Sequence, residues 1–388
     1  MEVFFSTAAE WAAIISYAAA IFGCFYALAA AWLARRFYRS GGAPAESFSP
    51  VTILKPLHGV EQGLYANLAG FCVQNYPGPV QVIFGVDDPA DSAIGVVRNL
   101  IANFPDCDLE LVVNSHRHGT NRKISNLINM KSKARYDVLV LSDSDIVVNS
   151  DYLKNVTAAL DEPGVGLVTC LYRGAATTGI WARLSAAAIN SHFLPGVLVG
   201  LKLGLTKPCF GSTIAIRRNT LAMIGGLKSV VEELADDYAI GKMVRRAGLS
   251  VAIPSFTVTH VCAQRTARDL FRHELRWART IRFVDAFGFI GSAVTHALPL
   301  ALLSMLLGDV TPASIIVIAA LACRLLLQTQ LNHAFSLHDS PLWVGPLRDT
   351  LSFVIFIASF FGRAVEWRGH WYAVRANNTL AYAEELKP

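Results

Sequence analysis

Through the middle of the chain, short apolar runs alternate with stretches whose apolar residues recur at helical spacing. "VTILKPL" (51–57), "VQVIFGVDD" (80–88), "DLELVVN" (108–114), "DVLVLSD" (137–143) and "VGLVTCLY" (165–172) are rich in β-branched and aliphatic residues and read as strands. Between them, Asp91 to Phe104 and Lys123 to Ala134 carry amphipathic helical patterns. Strands alternating with helices predict an α/β domain on a mostly parallel sheet, with its ligand at the carboxyl ends of the strands.

The two ends carry another pattern. "WAAIISYAAAIFGCFYALAAAWLA" (11–34) has no charge and is long enough to span a bilayer. Glu2 and Glu10 precede it, and Arg35, Arg36 and Arg39 follow. The positive-inside rule therefore predicts an uncleaved anchor with everything after it cytoplasmic. "FGFIGSAVTHALPLALLSMLLG" (287–308) and "PASIIVIAALACRLLLQ" (312–328) predict a membrane hairpin about Asp309 and Thr311. "LSFVIFIASFFG" (351–362) crosses only if the stretch from Leu342, carrying Arg348 and Asp349, joins it; a re-entrant or interfacial segment is the alternative. A crossing there would leave Arg363, Arg368 and Arg375 outside, against the charge rule. "FYRSGGAPAESFSP" (37–50) reads as a linker. The expected organisation is an anchor (1–36), a cytoplasmic α/β domain (37–282) and a membrane-associated region (283–388) with two to three spanning or re-entrant segments.

Composition agrees: 53% of residues are hydrophobic and 16% charged, where soluble chains carry about a quarter. The net charge of +5 comes without long basic runs, which suits contact with anionic lipid and argues against a nucleic-acid partner. The 7 cysteines show no paired spacing, so thiols are expected, with neither disulfides nor a zinc site.

Three acidic clusters carry the chemistry. Asp87 and Asp88 end one strand, Asp143 and Asp145 end another, and Asp236 and Asp237 sit in "EELADDYAIG". A strand-end aspartate by itself is often a helix cap or turn former. Asp143 and Asp145, one residue apart on an extended run, can turn their carboxylates to one side and make a hard-oxygen site. Mg²⁺ or Mn²⁺ carrying a diphosphate suits it, and a metal is the expected compensation for carboxylates beside a sheet core.

The order Asp-Asp, Asp-x-Asp, Asp-Asp and then "HELRW" (273–277) resembles the family 2 and family 21 glycosyltransferases. The closer likeness is to family 21, which holds ceramide glucosyltransferases and bacterial hopanoid-associated enzymes. It covers nearly the whole chain, through "ILKPLHG" (53–59), "GVDDPADSAI" (85–94), "NRKISNLINM" (121–130), "CFGSTIAIRR" (209–218), "ADDYAIG" (235–241) and "HELRWARTIR" (273–282). His273 stands where the wider family has Gln or Arg.

The resemblance implies a GT-A fold, the Rossmann-like fold of nucleotide-diphospho-sugar transferases, between N- and C-terminal transmembrane helices. It implies that Asp87 and Asp88 hold the uracil and ribose of a UDP-sugar. Asp143 contacts the nucleotide, Asp145 binds the metal, and Lys123 is a cation near the nucleotide or else a solvated helix charge. Asp237, with Asp236 beside it, is the catalytic base. Arg276 faces the diphosphate and Trp277 lies under the acceptor, unless both belong only to an interfacial helix; His273 faces phosphate. His192, in "NSHFLPG" (190–196), falls near the acceptor or is a structural histidine.

The implied reaction is inverting transfer from a UDP-sugar to a membrane lipid hydroxyl. The expected acceptor is a hopanoid polyol, bacteriohopanetetrol, taking N-acetylglucosamine from UDP-GlcNAc; ceramide taking glucose is the alternative. "FLPGVLVGLKLGL" (193–205) either lines a groove for such a lipid or is a buried core helix. A polysaccharide synthase would need more spans, an inactive scaffold would not keep all three aspartate motifs, and polyprenyl-phosphate enzymes generally lack the Arg-Trp pair. The expected location is a bacterial inner membrane, multi-pass, with the catalytic domain cytoplasmic.

Overall fold

The computed structural model describes residues 2–39, 48–337, 341–367, 370–374 and 379–382; linker residues 40–47, Arg368 and Arg375 lie outside the described residues. Two compact units partition the chain, one of 1–39, 174–206 and 264–363, the other of 40–173, 207–263 and 364–388.

The second unit is the α/β domain. Its strands include β1 (Val51–Pro56), β2 (Val80–Val86), β3 (Asp108–Val113), β4 (Val138–Leu141), β5 (Ile146–Val147), β6 (Val165–Thr169), the first half of β7 (Leu171–Ala176), β8 (Ile214–Arg217), β9 (Ser250–Ala252) and β10 (Thr257–Cys262). The main sheet has the order β3-β2-β1-β4-β8-β6-β9. From β3 to β4 every pairing is parallel, and β8 alone is inserted antiparallel, between β4 and β6. β1, β2 and β4 are almost wholly buried because helices cover both faces, whereas the edge strand β3 alternates Asp108 and Glu110 with leucines and is half-buried. Ile53, Phe84 and Val140 point into one core, while Leu54, Ile83 and Leu139 point into the other. The strand order reverses beside β1, which puts a crevice at the carboxyl ends of β1 and β4. The expected helices run Ala93–Asn103 and Arg122–Lys131; the second is capped by Asn121, whose side chain accepts from the Ile124 N–H at 3.1 Å. The stretch expected as one strand at 165–172 is broken at buried Cys170 into β6 and β7.

The first unit is helical. By length and composition, Ala9–Ala34, Ile180–Lys202 and Val310–Ala334 can each cross a membrane. The span expected at 287–308 is formed by a pair of helices, Ala286–Thr295 and Ala297–Leu307, bent by 71°, either a broken span or a re-entrant loop. Ile180–Lys202 passes through a π-helical turn, Ile189–Phe193. Residues 193–205, expected within the α/β domain, cluster through Thr206 with these apolar helices.

Val344–Ser359 has 16 residues, short for a span, and carries two charges that are paired inside the unit. Arg348 forms a bidentate pair with Glu274 at 2.8 and 2.6 Å. Asp349 binds Arg324, and its Oδ1 lies 2.9 Å from His192 Nε2. Ionisable groups among apolar helices are tolerated in such pairs.

Candidate active site

β4 delivers the loop Ser142–Asp145 to the crevice. The Asp143 carboxylate, 34% exposed, lies 2.7 Å from Lys123 Nζ, which is 12% exposed and also 3.5 Å from Asp236. The cation at the end of this strand is therefore a lysine on the first turn of helix Arg122–Lys131, not a solvated helix charge. Burial works against its ammonium, but Asp143, Asp236 and Asp237 outweigh burial and hold its pKa above the usual lysine value. Burial also raises the Asp143 carboxyl, against the pull of Lys123.

A second cation, which the sequence reading did not single out, stands beneath the loop. Lys55, fully buried near the end of β1, donates to the Asp143 main-chain oxygen at 2.5 Å and to Ser142 Oγ at 3.3 Å. Its ammonium sits 3.9 Å above the Phe71 ring. Burial pulls it down to about 7, against the raising pull of Asp145 and Asp143. The signal was present in "ILKPL", a lone lysine inside an apolar strand.

Asp236 and Asp237 open the helix Asp236–Arg246. Asp236 is buried and accepts from Asn121 Nδ2 at 3.2 Å. Asp237 accepts from the Gly211 N–H at 2.9 Å and the Tyr238 N–H at 2.7 Å. Burial, followed by the like charge of Asp236, pushes its carboxyl to about 6, with Lys123 opposing. Gly211 is required by close approach: a Cβ there would fall 2.7 Å from Asp143 Oδ2 and 2.9 Å from Lys123 Nζ. Glycine therefore lets the backbone of 209–218 reach the carboxylates.

Asp145 faces His260, whose Nδ1 lies 3.5 Å from its Oδ1 and which β10 brings in opposite Ile146 of β5. Burial disfavours the imidazolium, but Asp145 outweighs it and raises the His260 pKa. Asp87 ends β2 and is gripped by Arg122 at 3.0 Å and Arg117 at 3.2 Å. Burial would raise its carboxyl; the two guanidiniums prevail and hold it below the usual range. Asp88 is exposed and accepts from the Ala90 N–H at 2.9 Å, a turn-forming contact. Asp91, also missed from sequence, ties this turn to the β1 loop by accepting from the Gly59 N–H at 2.9 Å.

Among the described residues no group of three or more His, Cys, Asp and Glu converges to hold a metal ion. The expected Asp143–Asp145 pair is modified accordingly, because Lys123 occupies the Asp143 carboxylate. Asp145, 28% exposed and beside His260, presents a carboxylate that a divalent cation could share. One or two carboxylates completed by substrate phosphates is a usual Mg²⁺ arrangement, so the residues fit a metal that arrives with a diphosphate.

Thus Asp143, Lys123, Asp236 and Asp237 meet in one unit, with Asp145 in the loop after β4 and Asp87 at the end of β2. The "HELRW" residues belong to the other unit, on helix Ala267–Val284. There His273 Nδ1 is 3.0 Å from Gln264 Nε2, and its ring meets Trp277 edge-on at 4.5 Å. Arg276 lies on the same helix, one position before Trp277. His192 also belongs to that unit, where it joins Arg324 and Asp349.

The sequence pattern described as Glycosyl transferase family 21 matches residues 15–380. The chain belongs to glycosyl transferase family 21. This family 21 chain is 26% identical over 237 residues to ceramide glucosyltransferase 1 of Caenorhabditis elegans, a match covering 61% of the chain and 50% of that protein. It is 32% identical over 127 residues to ceramide glucosyltransferase of Candida albicans, covering 30% and 23% respectively. The family 21 chain therefore spans half or less of the length of these curated relatives. Among solved structures it resembles the mannosyltransferase PcManGT from Pyrobaculum calidifontis, in complex with GDP-Man and Mn²⁺. The TM-score is 0.55 at 21% identity, covering 91% of this chain and 99% of that one, a likeness of fold. The fold is of the GT-A glycosyltransferase type, as the sequence implied.

Proposed function

We propose that this chain transfers a sugar from a UDP-sugar to a membrane lipid hydroxyl, with inversion at the anomeric carbon. The observation that carries the reading is Asp237: a carboxyl pushed to about 6 and fixed by two backbone N–H groups beside the Asp143–Lys123 pair. Such a group is ionised at neutral pH yet basic enough to accept a proton.

The acceptor oxygen attacks the anomeric carbon while its proton passes to Asp237. The bond from that carbon to the diphosphate oxygen breaks, and its electron pair leaves with UDP. Asp145 would hold a divalent cation, which when bound would supply positive charge for the diphosphate. Asp87, fixed by Arg117 and Arg122, and Asp88 hold the nucleoside end; Asp143 and Lys123 set the loop beside it. Arg276 stabilises the developing diphosphate charge, with His273 beside it, and Trp277 and His192 serve the acceptor.

For the acceptor we infer bacteriohopanetetrol taking N-acetylglucosamine, on the likeness of "TILKPLHG", "VTCLYRGA" and "HELRWARTIR" to hopanoid-associated enzymes. The setting is the cytoplasmic face of a bacterial inner membrane. A second reading, ceramide taking glucose, is favoured by the ceramide glucosyltransferases among the chain's relatives. The test is mass spectrometry of lipids after incubating reconstituted protein with each UDP-sugar and lipid. An amino-sugar hopanoid supports the first acceptor, and glucosylceramide alone selects the second. No sugar on any lipid overturns the reading.

A further inference from the structure

Five side chains from separate parts of the helical unit meet within its apolar packing. They are Tyr26 of Glu2–Ala34, His192 of the π-helical turn, His296 at the start of Ala297–Leu307, Arg324 of Val310–Ala334 and Asp349 of Val344–Ser359. Arg324 donates to Asp349 Oδ1, and to the Ser191 carbonyl at 3.1 Å. His192 Nε2 lies 2.9 Å from the same Oδ1, and its ring is 5.5 Å from that of His296. The Tyr26 hydroxyl lies within electrostatic reach of Arg324 and Asp349.

The charges are balanced, yet three atoms are left over. Asp349 Oδ2, His296 Nδ1 and Tyr26 Oη are buried with no hydrogen-bond partner among the described residues. Asp349 is 0% exposed and His296 6%, whereas the Tyr26 and His192 side chains are partly exposed. Buried polar atoms in native folds are nearly always paired, and ionisable groups among apolar helices default to a functional role.

The three atoms specify a chemistry. A carboxylate oxygen accepts only, so it needs an O–H or N–H; a phenol and an imidazole nitrogen can each donate or accept. A neutral head with several hydroxyls satisfies all three. A phosphate does not, since it cannot donate to Asp349 and shares its sign of charge.

We infer that this cluster binds the hydroxyl-bearing head of a membrane lipid, the acceptor class of the proposed reaction, on which the inference rests. The test uses full-length protein in detergent without donor. Its thermal midpoint is measured with bacteriohopanetetrol and with hexanoyl ceramide, each against its O-acetylated form. The free-hydroxyl form of at least one lipid raises the wild-type midpoint, and its acetylated form does not. Tyr26→Phe and His296→Leu each remove an unpartnered atom. They keep or raise the lipid-free midpoint, and their lipid affinity falls roughly tenfold, the scale of one hydrogen bond. The apparent KM for lipid rises with it, and that for UDP-sugar does not.

A cluster filled only by trapped water gives the opposite: both variants lower the lipid-free midpoint and leave lipid affinity unchanged. That result overturns the inference, as does a wild type stabilised by neither lipid or equally by the acetylated forms. Because this readout needs no donor, protein that binds lipid but transfers nothing contradicts the proposed function and leaves the site standing.

Discussion

Lys123 Nζ lies 2.7 Å from Asp143 Oδ1, so the carboxylate at the end of β4 carries its own cation. The same ammonium lies 3.5 Å from Asp236. It opposes the rise of the Asp237 carboxyl, which burial and the like charge of Asp236 push to about 6.

Replacing Lys123 by Met should strand Asp143 and Asp236 beside each other. The expected loss is about 1–3 kcal/mol, less than for a fully buried pair because Asp143 is 34% exposed. Lys123→Arg keeps the charge and should recover part of it. Chemical denaturation of the three proteins reads the difference; equal stability of Lys123→Met and wild type would contradict the pairing.

Gly211→Ala probes the same corner sterically. Its Cβ would meet Asp143 Oδ2 at 2.7 Å and Lys123 Nζ at 2.9 Å, and the N–H that holds Asp237 would shift. Turnover should fall roughly 10–100-fold, the cost of a sub-ångström to ångström misplacement, with circular dichroism unchanged. Wild-type turnover in this variant would mean that the backbone of 209–218 does not position the base.

How much of this was legible in the chain differs by element. β1, β2 and β4 announce themselves because burial on both faces demands apolar runs with few polar residues. β8 hides inside "CFGSTIAIRR", where a strand of four residues starts three positions after Gly211 and already includes the first of two arginines. The aspartate clusters were legible by type and place. Lys55 was not, since only the fold shows that its ammonium reaches the Asp143 carbonyl. The helix Ile180–Lys202 was overlooked because Arg183, His192 and small residues dilute its hydropathy. The pairs Arg348–Glu274 and Arg324–Asp349 join residues far apart in sequence, so no local pattern foretells them.

Asp237 should also govern pH dependence. Turnover should rise with pH through about 6 and level off above it, as the base loses its proton. Stability should run the other way. With the folded pKa above the ordinary carboxyl value of about 4, the group's stabilising contribution is full below that value and lost as pH rises through about 6. Without donor or metal, Asp237→Asn should therefore melt higher than wild type at pH 8, and the gap should close near pH 4. A gap that widens on acidification would refute the raised pKa.

On the proposed reaction, metal dependence should rest on Asp145. Asp145→Ala should lose transfer and, with UDP present, should bind Mn²⁺ at least tenfold more weakly by electron paramagnetic resonance. Excess EDTA should silence the wild type reversibly. Full transfer in EDTA would remove the metal from the account.

The most direct measurement is a single-turnover assay of sugar transfer with Asp237→Asn and Asp236→Asn, alongside calorimetric UDP binding. The account predicts that Asp237→Asn slows the transfer step by roughly 10²–10⁴-fold while UDP binds as in wild type, and that Asp236→Asn is milder. Transfer by Asp237→Asn at the wild-type rate, or a deeper loss in Asp236→Asn, would contradict the assignment of Asp237 as the base.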